Sequence, residues 1–252
     1  MQIESRTFTL PSGEVLTVRS LCADDAEALN AFRYATYSET YFMARYPEEG
    51  ANLETVQTGL AACRKSAVNF EVGAFVGEKL VGEFGVAQLR PHIKYRHRAV
   101  MGISVRKEYW GCGLGSYLMQ LAIDQTRANG FEQLELGVYS DNSRAIHLYE
   151  KFGFERYGIQ PRAFKLKDGT YRDEIIMVKM LGPEKDKIKS PTDGVRCRQW
   201  EIFIVLRSNR ENLRFWPRCC AQPFCKQRRS GTQCSGPERS AARPGSAAGR
   251  LQ

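Results

Sequence analysis

The stretch I-S-V-R-K-E-Y-W-G-C-G-L-G-S, residues 103–116, decides how the rest of this chain is read. Residues 100–105 alternate larger apolar side chains with small ones, the period of a strand. Beyond the glycines, Leu118, Met119, Ala122 and Ile123 recur at helical spacing on one stripe of 114–128. Strand, glycine turn and helix therefore form one unit. Gly111, Gly113 and Gly115 let the main chain pass close to a bulky ligand with no Cβ in the way. The first-turn amides of the following helix have no intrahelical partner, and with the positive end of the helix dipole they favour a phosphate or pyrophosphate. Two familiar nucleotide motifs are excluded. Glycines at 111, 113 and 115 do not make G-x-G-x-x-G, and no G-K-[ST] follows to make a P-loop.

Working outward, Q-L-E-L-G-V-Y at 133–139 alternates Leu134, Leu136 and Val138 against Glu135, Gly137 and Tyr139, which reads as a second strand. It leads into N-S-R-A-I-H-L-Y-E-K-F-G-F at 142–154. Together, V-R-K-E-Y-W-G-C-G-L-G and N-S-R-A-I-H-L-Y-E-K-F-G-F resemble the GCN5-related N-acetyltransferases (GNAT). In that family an acyl-CoA motif, [RQ]-x-x-G-x-[GA], lies at the end of the fourth strand, and N-x-x-A-x-x-x-Y-x-x-x-G-F follows the fifth. The second block matches in full, and the first carries Trp110 where the family most often has Arg or Gln. Two linked motifs about 30 residues apart, in the right order, are far more specific than either alone. The resemblance covers residues 16–181.

What the resemblance implies is a mixed α/β (α+β) chain with the GNAT acyl-CoA N-acyltransferase fold, a central mixed sheet of about seven strands with helices on both faces. It implies acetyl-CoA as cosubstrate, no metal, and acetyl transfer to a primary amine by direct attack in a ternary complex. The amides of Gly111, Cys112, Gly113, Leu114, Gly115 and Ser116 would hold the CoA pyrophosphate. Backbone groups of Ile103 and Val105 would pair with the pantetheine arm between two splayed strands, the Ile103 amide also serving the oxyanion. Asn142 would cap its helix and bond the pantetheine.

Transfer to an amine needs a deprotonated nucleophile, a stabilised oxyanion and a proton for the departing thiolate. Tyr149 matches the motif tyrosine and is the candidate proton donor. Glu83 and Glu135, the charged residues in strands nearest the splay, are the candidate bases, with His147, on the same helix as Tyr149, a further one; a water chain alone is the alternative. Cys112 reads as a small residue in a turn, since direct attack needs no thiol nucleophile. The aromatic segment Y-S-E-T-Y-F-M-A-R-Y-P-E-E-G at 37–50 would, by resemblance, wall the acceptor site, with Glu39, Glu48 and Glu49 offering charge to the amine. The acceptor would be a small-molecule amine or a protein amino group. A non-catalytic acyl-CoA sensor is the rival reading, and thiol release with a panel of amines separates the two.

The remaining pattern bounds this. Hydrophobic residues make up 42% of 252, enough for one buried core. Strands are expected at 15–18, 70–76, 79–88, 155–167 and 171–180, the last two joined by an Asp-Gly turn, helices at 26–36 and 52–66, and a basic loop at 90–98. P-S-G at 11–13 suits either a hairpin or a short loop before a strand. Through Leu181 there are 22 basic and 22 acidic side chains; beyond it, 15 and 6, so the excess positive charge belongs to the tail. Residues 1–181 thus form the expected domain, with a core at 16–181, and the basic, Cys-rich stretch 182–252 reads as a disordered extension. That stretch lacks C-x-x-C and His, which argues against zinc, and lacks a recognisable nucleic-acid module. Unpatterned cysteines in the domain, and no apolar run of membrane-spanning length or leader-like start, imply a cytoplasmic protein with no membrane partner. A homodimer is compatible with this reading.

Overall fold

The structure, a computed structural model, describes residues 2–182. The expectations for the basic tail fall on residues outside that range. In chain order the elements are β1 (Arg6–Thr9), β2 (Val15–Ser20), α1 (Ala26–Glu39), α2 (Leu53–Lys65), β3 (Phe70–Val76), β4 (Lys79–Gln88), β5 (Arg98–Val105), α3 (Leu114–Ala128), β6 (Gln133–Tyr139), α4 (Ser143–Lys151), β7 (Glu155–Lys165) and β8 (Tyr171–Met180). The strands form one sheet in the order β1-β2-β3-β4-β5-β6-β8-β7. Every neighbouring pair is antiparallel except β5 and β6.

The sheet has eight strands rather than the expected seven or so. The extra one is β1: Gly13, at φ +89°, closes a turn in which Leu10 N–H donates to Glu14 O at 2.8 Å, so Arg6–Thr9 folds back on β2 as a hairpin. Strand β2 runs two residues longer than expected and α2 is one residue shorter at each end, and two further boundaries move for visible reasons. Helix α1 runs on to Glu39, three residues past the expected end, because Tyr37 is buried and continues its core-facing stripe. Strand β5 starts at Arg98, which the charge pattern had placed in a solvated loop; Arg98 instead forms a two-point ion pair with Glu135 across the sheet.

Strand alternation sorts the sheet into two faces. On one, Ala99, Met101, Leu134, Leu136, Val138 and Met177 pack with Leu114, Leu118 and Met119 of α3 and Ile146 and Tyr149 of α4. Residues of opposite parity, including Glu83, Arg98, Ser104, Glu135, Gly137, Tyr139 and Glu174, lie on the other face. That is the side on which α1 sits, as the contact of Arg33 with Glu83 shows. Helices α1 and α2 build a smaller core there around Leu29, Phe32, Val56 and Leu60.

The parallel pair β5–β6 carries only three rungs, Arg98↔Gln133, Ala99↔Leu134 and Val100↔Glu135. Beyond Val100 the strands part, because β5 stays on β4 as far as Gly82↔Val105 while β6 stays on β8 as far as Tyr139↔Glu174. Each diverging segment keeps one paired edge and offers the other to the gap. Main-chain N–H and C=O groups on such edges need partners from elsewhere.

Candidate functional site

A cavity of about 1210 Å³ fills this gap and reaches both faces of the sheet. Its upper rim is the glycine turn. Gly111 and Gly113 take φ +81° and +91°, a region costly for any residue with a Cβ, and a Cβ at either would meet nothing within 4 Å. Gly113 is the N-cap of α3 with no side-chain cap, and the first helical bond is Tyr117 N–H to Gly113 O at 3.0 Å. The amides of Leu114, Gly115 and Ser116 are therefore left without intrahelical acceptors at the positive end of a 15-residue helix. Gly111, Gly113, Gly115 and Ser116 line the cavity. Cys112 and Leu114 turn their side chains away: the Cys112 thiol donates to Tyr109 O at 2.8 Å, and Leu114 is fully buried. Only their backbones are available to a ligand.

The edge of β5 is just as specific. Arg106 N–H donates to Val81 O, so the alternation of peptide groups turns the N–H and C=O of Ile103 and Val105 away from β4, into the gap. One of those four groups is already used, since the Trp110 indole N–H donates to Val105 O at 2.8 Å. Trp110, the departure from the family's Arg or Gln, thus ties the glycine turn to β5. A cation still reaches this rim, because the Arg144 guanidinium of α4 lies 4.6 Å over the Trp110 ring.

On the face covered by α3 and α4, Asn142 caps α4, its Oδ1 accepting from Ala145 N–H at 3.2 Å. Tyr149 lies two residues before the end of α4, 8% exposed and packed against Phe154 with ring centroids 6.0 Å apart. Burial pushes its phenol up to about 12, so it stays protonated through the neutral range. His147 also lines the cavity.

The other face carries the carboxylates and the aromatic wall. Glu83 accepts from Arg33 at 3.2 Å and from the Ser104 hydroxyl at 3.2 Å, while Arg33 also binds Glu71. Although burial opposes its charge, Arg33 is held above the ordinary arginine value by Glu83 and Glu71. Glu135 accepts from Arg98 at 2.5 and 2.7 Å. Both candidate bases thus line the cavity but face it from within ion pairs. The carboxylates of the 37–50 segment are also engaged: Glu39 with Arg106 and Lys107 N–H, Glu48 with Lys167, and Glu49 with Tyr46 N–H. The aromatic wall does form. Tyr139 stacks on Phe164 at 3.9 Å and meets Phe42 and Tyr41 edge-on at 5.8 and 6.0 Å.

Sequence reasoning missed Arg33, Phe164 and Glu174. The first two look like ordinary helix and strand residues until the chain folds. Glu174, in Y-R-D-E, sits on the buried side of β8 and lines the cavity. Among the described residues no group of three His, Cys, Asp or Glu could hold a metal, and no helix is long and apolar enough to cross a membrane.

Comparison with known proteins agrees with this geometry. The model of the Acetyltransferase (GNAT) family matches residues 30–154. N-alpha-acetyltransferase 30 of Saccharomyces cerevisiae is 29% identical over 125 residues, which are 49% of this chain and 61% of that protein. The chain thus spans about six-tenths of that relative's length. The solved acetyltransferase of GNAT family from Streptococcus pneumoniae is 30% identical, with a TM-score of 0.63, over 66% of this chain and 99% of its own. The structure of yncA from Salmonella typhimurium with its cofactor acetyl-CoA shares the fold at 19% identity, with a TM-score of 0.60 over 68% and 96% of the two chains. A strand, glycine turn and helix rimming a gap between two parting parallel strands, with these relatives, place the chain in the GNAT acetyltransferase family.

Proposed function

We propose that this chain transfers an acetyl group from acetyl-CoA to a primary amine by direct attack in a ternary complex. The observation that carries the reading is the three-rung pairing of β5 and β6, which leaves the edges of Ile103 and Val105 open directly below the uncapped first turn of α3. The residues present fit the cosubstrate. The backbone of the turn 111–116 would cradle a pyrophosphate, with Arg144 supplying the cationic side chain that position 110 lacks. The Ile103 C=O and the Val105 N–H would take the amides of the pantetheine arm as a strand edge takes a peptide, leaving the Ile103 N–H for the thioester oxygen.

With the thioester lying in the gap, the acceptor approaches from the carboxylate face, and Tyr149 stands on the other. The amine forms a C–N bond at the thioester carbonyl as the C–S bond breaks, the Ile103 amide supports the oxygen, Tyr149 gives its proton to the thiolate, and the proton shed by the nitrogen passes to water. Asn142 keeps α4, and so Tyr149, in place. An acceptor between Tyr139, Phe42 and Phe164 is shielded from water, which protects the thioester from hydrolysis. Calorimetry with acetyl-CoA, followed by thiol release with a polyamine, an aminoglycoside, free amino acids and peptides with free N-termini, tests the proposal. Micromolar binding with amine-dependent thiol release supports it; no uptake of acetyl-CoA refutes it.

A further inference from the structure

Six acidic side chains line the cavity, and five are already committed to a cation. Glu71 and Glu83 share Arg33, Glu135 holds Arg98, Glu39 holds Arg106, and Asp141 holds Arg172. The sixth is Glu174 on β8. It is 5% exposed, and its Oε1 has no hydrogen-bond partner among the described residues. A buried, unpartnered carboxylate works against folding, and few native groups are left so. Here the room for it is made by a specific residue. A Cβ at Gly137 would collide with Oε1 and stand 2.8 Å from Cδ. Gly137 lies on the part of β6 that has left β5, so the carboxylate sits over the gap itself. Its strand neighbour across the ladder is Tyr139, whose ring belongs to the aromatic wall.

We propose that Glu174 receives the ammonium group of the acceptor and takes its proton, which makes it the base of the transfer. This rests on the acetyl-transfer reading above and names a residue for it. Of the two protons lost between ammonium and amide, Glu174 takes the first. The second passes to water as the C–N bond forms, and the Tyr149 phenolate left after protonating the thiolate recovers a proton from water, so the protons balance over the turnover. Burial raises the Glu174 carboxyl above its ordinary value, and a carboxylate so placed is a stronger base than an exposed one. The ion-paired Glu83 and Glu135 would have to surrender an arginine to do the same. A polar, singly charged socket within aromatic walls selects a cationic amine over a neutral or anionic acceptor.

The test compares wild type with Glu174→Gln and Glu174→Met in three measurements: acetyl-CoA Kd, melting temperature, and kcat/KM against pH for the best amine of the panel above. Other titratable or charged groups lining the cavity include Tyr37, Arg45, Glu135, Tyr139 and Asp141, with Tyr41, Tyr46 and Arg172 beside Tyr139 and Asp141, and all are retained in both variants. Expected are an unchanged acetyl-CoA Kd, melting at or above wild type, and kcat/KM lowered about 100-fold or more at pH 7. That deficit should narrow toward pH 9.5, where more of the amine is already deprotonated. A loss under threefold, a deficit of equal size at every pH, or a variant that melts below wild type would overturn the role of Glu174 and leave the transferase reading standing. Wild type that binds acetyl-CoA yet releases thiol with no amine would remove both.

Discussion

Replacing Arg98 with Met removes the cation at the point where β5 and β6 separate. Its guanidinium meets both oxygens of Glu135, at 2.5 and 2.7 Å, and the two side chains are 26% and 11% exposed. Their residues bound the three rungs of the parallel pairing, so this pair clamps the last hydrogen-bonded turn before the gap opens. Deleting one partner of a buried pair costs about 3–5 kcal/mol, chiefly because the other charge is left unpaired. A quarter of Arg98 still reaches water, which brings the expected loss to about 2–3 kcal/mol. For a domain of this size that lowers the melting temperature by about 4–12 °C. The double variant Arg98→Met/Glu135→Leu should recover at least half of it, since both charges are then gone. Urea unfolding followed by circular dichroism reads the stabilities, and calorimetry reads the weaker acetyl-CoA binding expected when the gap loses its clamp. A single variant within 0.5 kcal/mol of wild type, or a double variant no better than the single, would refute this account of the splay.

Further expectations follow from the same geometry. Gly113→Ala meets no steric obstacle but must hold φ +91°, so it should cost about 1–2 kcal/mol in stability and weaken acetyl-CoA binding by calorimetry. Tyr149→Phe should lower kcat by about 100-fold with little change in acetyl-CoA Kd. Because burial holds that phenol near 12, wild-type activity should show no loss from its ionisation below about pH 10.5 in a pH–rate series. Glu174→Met should raise the melting temperature at pH 7, and the gain should fade as pH drops toward the ordinary glutamate value of 4.5. The sign follows from linkage: a carboxyl raised in the folded state favours folding only while protonated, so wild type is penalised above that range and relieved below it.

Residues 103–116 and 142–154 made the family legible before any coordinates, because a glycine turn and a capped helix are local devices. Their geometry is set by neighbours within a few residues, so α3, β3, β4, β6 and β8 were readable to the residue. Strand β1 was undecided for the opposite reason: four residues become a strand only when β2 is there to pair with them. The glycine turn proposed to cradle the pyrophosphate was likewise readable from sequence, since only main-chain groups would act there.

The amine side did not. Whether a carboxylate is free or spent depends on which arginine the fold brings to it, and Arg33, 38 residues from Glu71 and 50 from Glu83, is invisible as their partner in the linear chain. By itself the sequence determined the strand–turn–helix unit and the position of the tyrosine that follows it. Tertiary structure decided where β5 leaves β6 and which acid remains uncompensated, because desolvation and charge pairing belong to the packed interior and not to any single stretch of residues.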